Sequence, residues 1–150
     1  MKKIDAETRS QMMAAIRGKN TKPEIAIRRL LHALGLRFRI HRRDLPGNPD
    51  IVLPKHRLAI LVHGCFWHQH PGCEYAVLPK SNIPFWSAKL AANTKRDQVA
   101  LSELRDSGWR TLIVWECSLK RKTVENTLKA RLNRIVNSNV KAAEIPTRFQ

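Results

Sequence analysis

Asp50 follows a proline at the start of one apolar run, IVLP, and His63 lies at the end of the next, LAILVHG. A carboxylate at one strand end, with polar groups at the end of the neighbouring strand, can hold a hard divalent cation, which takes carboxylate or carbonyl oxygens and water as ligands. Such a cation polarises a bound phosphate and generates hydroxide from water. His63 and His68 flank Gly64, Phe66 and Trp67 in one loop, and imidazole titrates near neutral pH, where general acid–base work is done. The plain alternative for Asp50 is a turn aspartate that satisfies nearby backbone amides. Two histidines in the following loop favour chemistry over that alternative.

A second constellation follows at once. His70 and Cys73 stand in an H-x-x-C spacing that lets both reach one ion from a turn, and Cys117, at the end of TLIVWEC, offers a third ligand. Zinc prefers tetrahedral nitrogen and sulfur sites, and a closed four-ligand site is structural rather than catalytic. The fourth ligand is left open by spacing alone. Cys65, between Gly64 and Phe66, reads as a buried thiol. Phe66, Trp67, Phe85 and Trp86 fall in loops or at a helix start amid lysine and arginine; aromatics so placed can stack on bases or wedge between base steps. Packing under the loops is the competing reading for these four, and the core is the simpler place for Trp109 and Trp115.

The elements that must carry these residues can be read from caps and periodicity. Asp5 can cap a short basic helix ending at Gly18, which with Lys19 and Lys22 forms a positively charged arm. Thr21 and Glu24 make a capping box, with Pro23 in the first turn, and Ile27, Leu30, Leu31 and Leu34 give the next helix its apolar side up to Gly35. LRFRIHR predicts a strand and DLPGNPD a turn, while IVLP and LAILVHG predict a hairpin joined through KHR. A long helix from Pro84 to Asp106, the strand TLIVWEC, and an amphipathic helix bearing Val124, Leu128, Leu132 and Ile135 complete the pattern. Helix, strands, helix, strand, helix predicts an α/β mixed sheet flanked by helices.

The chain of 150 residues suffices for one such domain. Its 28 lysines and arginines against 12 acidic residues give a formal charge of +16. That balance calls for a polyanionic partner, nucleic acid before all others. No apolar stretch is long enough for a bilayer and no apolar segment follows the basic start, so the cytoplasm is the expected compartment and a membrane partner is not. Three cysteines cannot all pair, which there favours metal ligation or burial over disulfides.

The strings TRSQMMAAIRGKNTKPE, LPGNPDIVL, HGCFWH, FWSAKLAANTKRD and GWRTLIVWEC run in this order from Thr8 to Cys117 and resemble the very short patch repair (Vsr) endonucleases. The resemblance implies a restriction-endonuclease-like fold with a structural zinc site. It also implies Mg²⁺-dependent hydrolysis of a phosphodiester 5′ to the thymine of a T:G mismatch, the product of 5-methylcytosine deamination. By the same resemblance Asp50 binds Mg²⁺ together with the backbone carbonyl of Val62, His63 and His68 stand near the attacking water, and Glu24 joins the hydrated metal network. Zinc is carried over to His70, Cys73, Asp97 and Cys117. Phe66, Trp67 and Trp86 match aromatics that enter beside the mismatch, and Met13 matches a residue entering from the opposite groove. The chain departs from the pattern at HQHPGC, where loop length differs and Gln69 takes no role.

These readings divide the chain into a basic DNA-contacting arm at 1–20, an endonuclease domain at 21–137, and a C-terminal tail at 138–150 expected to lack order. They describe a monomer on mismatched double-stranded DNA, nucleoid-associated when bound and followed by downstream mismatch-repair proteins. Two competing functions share the same residues: a restriction-like nuclease indifferent to mismatches, and a zinc-stapled DNA-binding module without catalysis.

Overall fold

Thr21 opens the first described helix, α1 (Lys22–Ala33), and its hydroxyl accepts the N–H of Glu24 at 3.4 Å. Glu24 reaches back to accept the N–H of Asn20 at 3.2 Å, one residue earlier than an ideal capping box. The helix ends as expected, with Gly35 at φ +74°, where its lack of a Cβ removes the left-handed penalty, and with the Leu36 N–H on the Leu31 carbonyl. The computed structural model describes residues 20–120 and 124–146, without the side chains of 124–126. The arm carrying Met13, the helix capped by Asp5, and the Val124 side chain lie outside them.

Five strands follow: β1 (Arg39–Ile40), β2 (Ile51–Leu53), β3 (Leu58–His63), β4 (Arg110–Trp115) and β5 (Ala142–Ile145). They lie side by side in chain order. The β1–β2 and β2–β3 pairs are antiparallel, whereas β3–β4 and β4–β5 are parallel. Parallel neighbours need long crossovers, supplied by α2 (Ile83–Asp106) and α3 (Val124–Val136). The result is a mixed sheet flanked by helices.

Both faces of the central strands are covered. On one face, Ile51, Leu53, Leu58, Ile60, Leu112 and Val114 pack against Ile27 and Leu31 of α1 and Leu128 and Leu132 of α3. On the other, Ala59 and Leu61 meet Leu104 of α2. Burial on both faces explains why these strands read as unbroken apolar runs rather than alternating ones. Arg110 clamps the end of α3, donating to the carbonyls of Ile135 at 2.5 Å, Val136 at 3.3 Å and Val140 at 2.9 Å, a cation set against the negative helix terminus.

Three expectations change. The strand expected over LRFRIHR shrinks to two exposed residues at the sheet's edge. The strand expected over TLIVWEC ends at Trp115, and a single turn over Glu116–Leu119 swings Cys117 out of the sheet. The segment set aside as a disordered tail contains β5, whose Ile145 is buried beside Val114. Parallel pairing with β4 supplies the hydrogen bonds that so short a segment cannot make locally.

Candidate active site and metal cluster

The antiparallel β2–β3 pairing brings the start of β2 and the end of β3 to one rim of the sheet. Asp50 sits there, and its Oδ2 accepts the Val62 N–H at 2.7 Å. Val62, expected to offer its carbonyl, thus meets Asp50 through its amide. A cleft of about 600 Å³ opens at this rim, lined by Glu24, Asp50, His63, His68, Asn93, Asp97 and Glu116, with Phe66 and Trp67 at its wall. Gly47 lets the preceding turn close on α2: at φ +72°, a Cβ there would lie 2.6 Å from that of Ala100.

Burial raises Asp50 to about 7, against the opposing pull of the Val62 amide, and the nearby Glu24 carboxylate adds to the rise. Two carboxyl groups in one half-enclosed corner are a donor set suited to a hard divalent cation. Glu24 is itself 5% exposed and accepts from Arg28 at 3.2 Å, so its capping and cleft-lining roles coexist. A cation must displace the proton of Asp50, so Mg²⁺ or Mn²⁺ affinity is expected to rise about tenfold per pH unit up to about 7 and then level off. Calorimetric titration between about pH 5.5 and 8 checks this, and a flat profile would exclude Asp50 as the ion's carboxylate. The ion-free protein has the reverse dependence. The folded chain holds this proton more tightly than the unfolded one, so its contribution to stability is lost as pH rises from 3.8 towards 7.

His63 and His68 stack with ring centroids 3.8 Å apart. Burial, with His68 beside it, pushes His63 down to about 3, so it is neutral at physiological pH. Its buried Nδ1 has no hydrogen-bond partner among the described residues. His68 Nδ1 lies 2.6 Å from Asp97 Oδ2. An ionised carboxylate only accepts, so Nδ1 carries the proton and Nε2 is left as the basic nitrogen.

That contact places one expected zinc ligand apart from the other three. Asp97, expected to complete the zinc set, is held by His68 on the cleft side of α2, and Cys65 occupies the corner foreseen for it. The donor atoms of Cys65, His70, Cys73 and Cys117 all lie within 4.8 Å of one another. The loop after β3 coils so that the His70 N–H bonds to the Cys65 carbonyl at 2.9 Å and the His68 N–H to that of Gly64 at 3.1 Å. His63 and His68 therefore meet in the cleft, while Cys65 and His70 join the cluster. The His70 ring stacks on Trp115 at 4.2 Å, with Nδ1 3.5 Å from Cys117 Sγ. Burial pushes the Cys65 thiol up to about 12 and raises that of Cys117. Three sulfurs and an imidazole in so tight a group are disfavoured as free thiolates and suited to a soft divalent ion that replaces their protons. The Cys65–His70–Cys73 spacing within one loop was the available signal for this set.

Phe66, Trp67, Phe85 and Trp86 form one aromatic array beside the cleft, with neighbouring rings 5.1 to 6.0 Å apart. Phe85 is 58% exposed. Lys89 lies 5.9 Å from Trp67 and 5.7 Å from Phe85. Asn93 holds the base of the array through the Trp67 carbonyl at 3.3 Å. Sequence reasoning missed Asn93 and Glu116: both lie within the quoted strings, but nothing in their spacing sets them apart and only the fold brings them to the cleft. Among the described residues, no helix is long and apolar enough to cross a membrane.

Residues 1–74 match the family described as DNA mismatch endonuclease Vsr. The chain is 49% identical over 135 residues to the type II nicking enzyme V.XorIIP of Xanthomonas oryzae pv. oryzae, covering 90% of this chain and 96% of that protein. It is 41% identical over 128 residues to the type II nicking enzyme V.NmeAIP of Neisseria meningitidis, covering 85% and 89%. Against the DNA mismatch endonuclease Vsr of Escherichia coli the identity is 39% over 145 residues, covering 95% and 92%.

Proposed function

The chain belongs to the Vsr family of DNA mismatch endonucleases and is a DNA endonuclease, and we propose that it nicks one strand of a duplex 5′ to the thymine of a T:G mismatch to start very short patch repair. The observation that carries this reading is the meeting, in one cleft, of the buried Glu24 and half-buried Asp50 carboxyls, a carboxylate-held histidine and an aromatic array. In this reading Asp50 and the Val62 carbonyl would hold Mg²⁺, with Glu24 in its hydration network, and the ion would supply charge neutralisation at the phosphate and activation of water. His68 takes the water's proton at Nε2, and Asp97 holds the ring and steadies its positive charge. His63, kept neutral by burial, accepts or donates at the scissile phosphate without adding a charge to it.

Phe66, Trp67 and Trp86 supply the mismatch test as wedges between base steps, since a wobble pair unstacks at lower cost than a Watson–Crick pair. The arm at 1–20, with Met13, closes on the duplex from the opposite groove, and the domain at 21–137 together with β5 carries the site. The charge of +16 gives the complex its salt dependence. Cys65, His70, Cys73 and Cys117 would hold zinc, which would tie down the loop that carries His63 and His68. One copy suffices for a single-strand nick, so the protein acts as a monomer.

Matched duplexes that differ only in a T:G or a T:A pair, including methyltransferase-type sites such as CTWGG, test the reading. A Mg²⁺-dependent nick on the thymine strand of the T:G duplex alone, abolished by EDTA, is expected. Two relatives are named as nicking enzymes without mention of a mismatch, which favours as a second reading a nuclease indifferent to the pair. Equal cutting of both duplexes would establish that one. The DNA-binding module without catalysis is set aside by the family.

A further inference from the structure

We propose that Glu144, on β5, is the carboxylate that holds His70 in place as a metal ligand, so that docking of the C-terminal strand is part of the metal site. The proposal rests on the reading of the cysteine–histidine cluster as a zinc site. Glu144 is paired in register with Ile113, and paired residues of parallel neighbours point to the same face of the sheet. That face bears the metal cluster: Ile113 packs with Cys65 and Trp115, against which Cys73 and Cys117 also lie. The flanking residues of β5, Ala143 and Ile145, pack into the opposite core, so Glu144 is directed to the face that bears the cysteines. One of its carboxylate oxygens is enclosed by protein.

His70 presents Nδ1 to Cys117 and stacks flat on Trp115. Its Nε2 must then carry the proton when the ring is a ligand. Histidine ligands almost always give their remaining N–H to a carboxylate, a backbone carbonyl or water, which fixes the ring and strengthens it as a donor. A site with three thiolates already carries surplus negative charge once zinc is bound. A further carboxylate beside it is favourable only along the imidazole N–H direction, and from the neighbouring strand Glu144 can supply it.

The test is zinc affinity measured by competition with a chromogenic chelator, on the full chain, in a double-mutant cycle. Glu144→Gln is expected to weaken zinc binding about tenfold to a hundredfold while leaving the zinc-free denaturation midpoint unchanged. In a His70→Cys background, which keeps four ligands but removes the imidazole, the same change is expected to shift affinity less than about twofold. An equal loss in both backgrounds would make Glu144 a structural residue and overturn the proposal. Unchanged affinity in the glutamine variant would also overturn it, leaving the zinc reading intact; failure of the wild type to hold stoichiometric zinc would end both. Should the glutamine variant not fold, Glu144→Asp asks the same question. Withdrawing the carboxylate by one methylene is expected to weaken zinc binding only where His70 is present.

Discussion

Replacing Asp50 with alanine is expected to lower nicking on the order of a thousandfold or more while leaving duplex affinity at or slightly above that of the wild type. Metal assistance of this kind supplies several kcal/mol of transition-state stabilisation, and each 1.36 kcal/mol is about a factor of ten in rate. Affinity survives because it comes from the basic surface, and removing a carboxyl group from a phosphate-facing cleft only reduces repulsion. The alanine also strands the Val62 N–H that Asp50 accepts at 2.7 Å, at a cost of about 1–3 kcal/mol. Asp50→Asn restores that acceptor without restoring the charge. If the asparagine variant folds as stably as the wild type and is equally inactive, the loss belongs to the missing carboxylate. Single-turnover nicking beside a filter-binding titration measures both quantities, and substantial nicking by either variant would refute the assignment of the metal to Asp50.

Cys65→Ser is expected to remove stoichiometric zinc and several kcal/mol of stability together, whereas Asp97→Asn is expected to keep the zinc and lose activity on the order of a hundredfold. The pair discriminates because the cluster joins Cys65 to His70, Cys73 and Cys117, while Asp97 is bound to His68 at 2.6 Å. Structural zinc binding is coupled to folding, so deleting a ligand removes folding free energy from a domain with about 5–15 kcal/mol in total. Asp97→Asn leaves the cluster untouched but removes the charge and the acceptor-only character that set the His68 proton on Nδ1, since an amide can donate there as well as accept, and the effect is in the usual range for general-base catalysis. Metal content by elemental analysis, thermal melts with and without chelator, and nicking rates give the three readouts. Full zinc occupancy and an unshifted melt in Cys65→Ser would restore Asp97 to the metal set.

Much of this was legible locally. The α1 cap at Thr21, its stop at Gly35 and the apolar runs of β2, β3 and β4 follow from backbone chemistry and periodicity within single elements. Asp50, His63 and His68 could be marked as chemical because strand ends and the loop after β3 bring them near one another along a hairpin. Whether Cys65 or Asp97 completes the metal set was not legible in that way. Both are metal-competent, Cys65 within the loop and Asp97 on α2, and the choice depends on which side of the loop's coil each donor meets. Packing of that loop between α2 and β4 turns Cys65 and His70 to the sheet side and leaves His68 facing Asp97. The same holds for β5, which has too little local sequence signal to specify a strand and takes its hydrogen bonds and its buried face from β4. The sequence by itself determined the helices α1, α2 and α3, the central strands β2, β3 and β4, and the inventory of reactive groups. Tertiary structure decided where Cys65, Asp97, Asn93 and Glu116 belong, because metal ligation and proton transfer depend on distances across the chain that no local pattern encodes.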